Sequence, residues 1–156
     1  RVYPAEVNRQ AGPRLVRDGM KITARAEYAS LAVLELALHY QSGHVQAREI
    51  AEKRQIPLKF LEQILIQLRN AGLVKSVRGA AGGYLLARAP DKISLKEVVE
   101  AVEGELNIVD AKLEDRTLLA VWSEIQEAFL GRLDAITVQN LVNRKMRENR
   151  VMDFQI

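Results

Sequence analysis

With 156 residues, 48% of them hydrophobic and only 5% aromatic, the chain has enough Leu, Ile, Val and Ala for one core domain with appendages, and its lack of cysteine excludes disulfides, thiolate zinc sites, Cys-ligated iron–sulfur clusters and a Cys nucleophile. The net charge of +3 is unevenly placed: residues 20–88 hold ten basic against five acidic groups, and residues 89–156 hold nine against thirteen. That basic middle suits a polyanion partner, although ordinary surface scatter gives the same numbers.

Residues 1–19 contain Pro4, Gly12, Pro13 and Gly19 and show little periodicity, so they read as an N-terminal extension ahead of Met20, which has the look of a natural start. They lack the apolar segment of a signal peptide, and no apolar run reaches the ~18 residues of a membrane span. A cytoplasmic protein with no membrane partner is therefore expected.

A first helix is predicted from Thr23. Leu31, Leu34 and Leu38 form its stripe and Ala29, Val33, Leu36 and Ala37 fill its sides, the pattern of a buried helix, with Gly43 closing it. Gln46–Arg54 reads as a short second helix with Ile50 and Ala51 inward. Gln55-Ile56-Pro57 is the turn, since Pro starts a helix well and cannot continue one. In a third helix, Leu58–Ala71, the residues Leu61, Ile64, Leu65 and Leu68 repeat as a core face and Gly72 is the stop. Two short helices across a tight turn match a helix-turn-helix. Leu73–Val77 and Tyr84–Ala87 then read as strands around the turn Gly79–Gly83, a hairpin in the position of a wing.

Ala89-Pro90-Asp91 breaks the chain, and Ser94 with Glu97 forms a capping box for a helix to about Val102. Gly104 ends it and residues 105–114 read as a loop. Leu118, Val121, Trp122, Ile125, Ala128, Phe129 and Leu133 give a long helix with a broad apolar stripe, Thr137 caps a last short helix, and the tail ends apolar at Ile156. The fold class is mainly α with a small β-hairpin. Residues 20–103 are expected to form one winged helix-turn-helix domain, 104–148 the long helix and its neighbour, and 149–156 a C-terminal tail.

Lys59, Gln63 and Gln67 point away from the third helix's core face, with Phe60 beside them. Gln amides can read an adenine edge, Lys can reach phosphate or guanine, and Phe can touch a thymine methyl. Glu62 can accept from cytosine or orient Arg69. Arg78, at the wing's tip, suits a narrow minor groove. Gly79, Gly82 and Gly83 permit φ > 0 and close approach, or serve turn geometry alone. Lys21, Thr23, Arg25 and Lys75 are candidate phosphate contacts. Tyr28 suits the core or a phosphate.

Met20-Lys21-Ile22-Thr23, Tyr28, Leu61-Glu62-Gln63, Leu68–Val74, Val77-Arg78-Gly79 and Gly82–Leu86 together resemble the Rrf-two family of bacterial regulators, over residues 20 to about 143. The resemblance implies a homodimer in which a long helix, here about Asp115–Leu133, crosses its partner through Leu118, Val121, Trp122, Ile125, Phe129 and Leu133. A dimer implies an imperfectly palindromic double-stranded operator. The resemblance also implies a transcriptional role, with repression as the family's common mode. Its cluster-binding branch carries three cysteines in the loop before that helix. Glu105–Glu114 has none, so a thiolate-ligated cluster is excluded and no cofactor is expected, while Leu106-Asn107-Ile108-Val109, the Trp122 helix and the apolar tail resemble the cysteine-metabolism repressor branch.

An enzyme is not expected. His39 and His44 are the only histidines and suit helix ends or the surface better than a metal pair, and Gly79–Gly83 lacks the Lys-Ser/Thr ending of a phosphate loop. A second reading is an interaction module: Asp153, Phe154 and Ile156 resemble the acidic–aromatic–X–Ile tail that enters O-acetylserine sulfhydrylase, with the terminal carboxylate captured there. A third is a small-molecule effector held in a cleft near the long helix.

Overall fold

The computed structural model describes residues 22–110 and 112–155, so the extension 1–19, Lys21 and Ile156 lie outside the described residues. Helix α1 (Ala24–Leu38) starts at Thr23, whose hydroxyl accepts the Ala26 N–H at 3.1 Å. Its buried face is Ala29, Ala32, Val33 and Leu36, while Leu31, Leu34 and Leu38 are only half-buried. The stripe expected from the leucines is thus the flank. The small residues occupy the centre because α3 and α4 approach α1 closely there.

Helix α2 (Ala47–Arg54) begins with the Glu49 carboxylate accepting the Gln46 N–H at 3.2 Å. It ends at Gln55, at φ 54° the only non-glycine described with positive φ, and this left-handed residue makes the tight turn into α3 (Leu58–Asn70). Leu61, Ile64, Leu65 and Leu68 bury as their spacing predicts. Gly72, at φ 76°, then lets the Leu73 N–H reach the Leu68 carbonyl at 3.0 Å and its own N–H reach Arg69 at 2.9 Å, a Schellman stop.

Strands β1 (Val74–Val77) and β2 (Gly83–Leu86) pair antiparallel, Val74 opposite Leu86 and Val77 opposite Gly83. A short 3-10 turn at Pro90–Lys92 leads to α4 (Leu95–Glu103), opened by the predicted box: Ser94 Oγ accepts from Glu97 N at 3.2 Å and Glu97 Oε2 from Ser94 N at 3.0 Å. Helix α5 is Arg116–Ala135, and α6 is Val138–Asp153. The start of α6 is sewn to the start of α4, with Leu95 N donating to Ile136 O at 2.8 Å and Val138 N to Ile93 O at 2.9 Å around the fully buried Val138. The last helix is not short: residues 149–153, expected in the tail, continue α6 to Asp153, and its first turn is anchored in the core.

Candidate nucleic-acid interface

The core face of α3 turns the opposite face outward. Lys59, Glu62 and Gln63 are exposed, Gln67 is half-buried, and Ile66, which periodicity does not single out, is 44% exposed among them. Phe60 packs edge-on against Tyr28, centroids 5.6 Å apart at 82°, and both lean on the core. Only part of the Phe60 ring is left to meet a base. Arg25, whose Nη1 lies 3.5 Å from the Val102 carbonyl, shares with Phe60, Gln63, Ile66 and Gln67 a shallow depression of ≈ 200 Å³.

A wider groove of ≈ 470 Å³ separates α3 from the wing. Gln46 and Arg48 line it from the start of α2, Glu62 from α3, and Ser76, Arg78 and Gly79 from the hairpin. Gln46, Arg48 and Ser76 are not singled out by sequence reasoning. Arg48 carries the one readable signal, a basic residue in the first turn of the helix before the reading helix. Lys75 is exposed on β1 but outside this groove.

The wing glycines divide into two kinds. Gly79 has φ 116°, as expected for a tip. Gly82 and Gly83 have no positive φ, so the expectation that they permit one is corrected. A Cβ on Gly82 would overlap the Val77 carbonyl oxygen, and one on Gly83 would lie 2.6 Å from the Val45 carbonyl oxygen. They are glycine because backbone passes where a side chain would stand. Thr23 differs from its expected phosphate role too: its hydroxyl caps α1 and donates to a carboxylate oxygen of Glu103. Lys21 lies outside the described residues.

A polar group that the apolar reading of α1 passes over holds the helix-turn-helix in place. Glu35 is 1% exposed and accepts from Lys53 Nζ at 2.5 Å and from Arg54 Nε at 2.8 Å, tying α2 to α1. Burial pushes its carboxyl up, but hydrogen bonds and charge from Lys53 and Arg54 outweigh that and hold it below the ordinary value. Past the wing, Arg88 Nη2 meets Glu97 at 2.7 Å. Burial again pushes Glu97 up, and the Ser94 backbone bond together with Arg88 brings it below its ordinary value. His39 Nδ1 lies 3.0 Å from the Glu35 carbonyl and His44 Nε2 lies 2.5 Å from that of Ala81, each ring engaged separately.

On α5 no residue is buried. Leu118, Val121, Trp122, Ile125 and Phe129 stand 43–51% exposed, and Leu133 is half-buried. Phe129 and Leu133 also wall an apolar cleft of ≈ 590 Å³ with Ala26, Leu95 and Val99. The loop before α5 is stapled by Gln126, whose Oε1 accepts the N–H groups of Ile108 at 2.7 Å and Val109 at 3.2 Å. Asp153 closes α6, and Phe154 beyond it is 90% exposed. Ile156 lies outside the described residues. Among the described residues no helix is long and apolar enough to cross a membrane.

A family model named Rrf2, described as an iron-dependent transcriptional regulator, matches residues 22–144. The HTH-type transcriptional regulator IscR of Photorhabdus laumondii is 37% identical over 133 residues, covering 81% of each chain. Among solved structures, CymR, the global cysteine regulator of B. subtilis, superposes with a TM-score of 0.75 at 33% identity, over 81% of this chain and 98% of its own. IscR of T. potens does so with 0.70 at 35% identity, over 81% and 89%. The family description implies iron, and the side chains do not fit a thiolate-ligated cluster. The chain has no cysteine, and among the described residues no group of three or more His, Asp or Glu is placed to hold a metal ion. The hairpin beside a helix-turn-helix is the winged-helix architecture these neighbours share, and they are transcriptional regulators rather than enzymes.

Proposed function

The chain belongs to the Rrf2 family of transcriptional regulators, and from that premise we propose that it is a sequence-specific DNA-binding repressor acting as a homodimer in the cytoplasm, with α3 in the major groove and the wing in a minor groove. The observation that carries this is the shared groove: Glu62 of α3 and Arg78 of the wing face one trough, with Arg48 across it. A sugar–phosphate strand running there would bring base edges to Lys59 and Gln63 and leave the guanidinium of Arg78 to the narrow groove beyond. Arg25 and Lys75 would add phosphate contacts that set register.

One feature supports a pair of such domains. The apolar face of α5 is uncovered in one chain, and association is the ordinary way to remove such a face from water. Two wings related by a twofold axis would read an imperfect palindrome. Likeness to CymR supports control of cysteine or sulfur genes, and the absence of cysteine supports a regulator that works without a thiolate-ligated cluster. A second reading is docking of the Asp153–Phe154–Ile156 end into O-acetylserine sulfhydrylase; the exposed Phe154 is free for such a contact, which would require the last turn of α6 to open. Deleting Ile156 should then abolish binding to that enzyme, and unchanged affinity removes this reading.

The main proposal is tested by titrating the protein against its own promoter region at two salt concentrations, with Arg78→Ala as control. Promoter-specific binding that weakens steeply with salt and drops on Arg78→Ala is expected. Equal affinity for random DNA at both salts overturns it.

A further inference from the structure

The wing carries its reading residue on a turn with little support of its own. At its base the hairpin is held by Val74 and Leu86, both buried in the core, but β1 and β2 are only four residues each and the tip projects beyond that anchor. Arg78, Gly79, Ala80 and Ala81 are all exposed, and within the turn the backbone contributes one bond, Gly82 N to Gly79 O at 3.0 Å. Towards the tip, support comes from the connector between α1 and α2. Val45 pairs with Tyr84 through two bonds of 2.8 Å, an added rung on the outer edge of β2. The preceding residue, His44, lies over the turn with its Nε2 2.5 Å from the Ala81 carbonyl oxygen. It is the one side-chain hydrogen bond made to residues 78–82 among the described residues. Gly83 completes the fit: a Cβ there would meet Val45 O at 2.6 Å and His44 Cδ2 at 3.0 Å.

We propose that His44 is a positioning residue for DNA recognition: its Nε2–H, donated to Ala81 O, fixes the wing turn on the α1–α2 connector and so sets where Arg78 enters the minor groove. The inference rests on the DNA-binding reading above. The chemistry is one-sided, because a carbonyl oxygen only accepts, so Nε2 must carry the hydrogen. The connector leads directly into α2, whose Gln46 and Arg48 face the same trough as Arg78. One short segment thereby ties the wing tip to the helix-turn-helix, and the position of the tip relative to α2 and α3 depends on His44 and Val45 as well as on the buried base of the hairpin.

The test compares His44→Phe, which keeps a flat ring and loses the donor, with His44→Gln, whose side-chain amide can donate from a similar reach. Both are made in the wild-type and Arg78→Ala backgrounds, and binding is measured on a promoter fragment that the wild type recognises. Backbone amide exchange at Gly82, whose N–H bonds the Gly79 carbonyl, is followed in the free protein. His44→Phe is expected to weaken promoter binding about fivefold, the worth of roughly one hydrogen bond. It should speed exchange at the turn and add nothing once Arg78 is already Ala. His44→Gln should stay within about twofold of wild type. Wild-type affinity and exchange in His44→Phe overturn the role of His44 while Arg78→Ala still loses binding, leaving the DNA reading intact. An undiminished fivefold loss in the Arg78→Ala background also overturns it, since His44 would then act elsewhere. An Arg78→Ala protein that binds like wild type overturns the minor-groove reading and this inference with it.

Discussion

Glu35 and Gly83 illustrate two ways in which single residues hold the reading surface together. Glu35 is a carboxylate in the middle of the most apolar helix, tolerated because Lys53 and Arg54 bring two cations to it. Replacing one partner of such a pair strands the others. Glu35→Ala is expected to cost about 3 kcal/mol, the low end for breaking a buried pair because Lys53 is largely in solvent, as read by thermal or denaturant unfolding. The pH dependence follows from the lowered folded-state value. A carboxyl held below its ordinary 4.5 contributes its full stability above that pH and loses it as acidification proceeds through the lower folded value. The Glu35→Ala protein should therefore lose the part of the acid transition that the wild type shows there. At Gly83 the constraint is steric. Gly83→Ala must push back the Val45 carbonyl, with an expected cost of about 1–3 kcal/mol and a wing displaced from Arg78's working position, so stability and promoter affinity should fall together.

At the level of elements, α3 divides its work by face. Its buried stripe is a plain helical period, legible in the sequence, and the same period assigns Lys59, Gln63 and Gln67 to the outside. Gln63→Ala is expected to relax preference at one base pair per half-site by about 1–3 kcal/mol while leaving unfolding unchanged; a uniform loss across all sequences would mean a backbone contact instead. The extent of α6 was less legible. Its second half, Asn143–Arg150, is rich in charged and amide side chains, so no apolar stripe announces it, and it persists because Thr137 caps it and Val138 docks beneath α4. For α5 the stripe is legible and what covers it is not. Trp122→Glu places a charge in the centre of that face and is expected to shift the protein from dimer to monomer in sedimentation, with operator affinity lost in parallel. A wild type that sediments as a monomer at assay concentrations would remove the dimer from the proposal.

Considered whole, the molecule is a winged helix-turn-helix followed by a long helix with an exposed apolar face, and the features that relate its parts are the ones no local pattern contains. Periodicity, the Ser94–Glu97 box, the Gly72 stop and the Gly79 tip act within a few residues, through helix geometry and backbone sterics. The sequence alone therefore determines where α1 to α5 and the hairpin lie, that a winged helix-turn-helix is the architecture, and that no thiolate cluster can form. Tertiary structure decided the rest: that Glu35 reaches Lys53 and Arg54, that Thr23 serves α1 and Glu103, that Gly82 and Gly83 avoid neighbouring carbonyls, and that His44 and Val45 brace the wing. The Glu35–Lys53 and Thr23–Glu103 contacts join residues 18 and 80 positions apart, and only a chain already folded sets such distances, because a side chain's chemistry says what it can bond to and not what will be brought beside it.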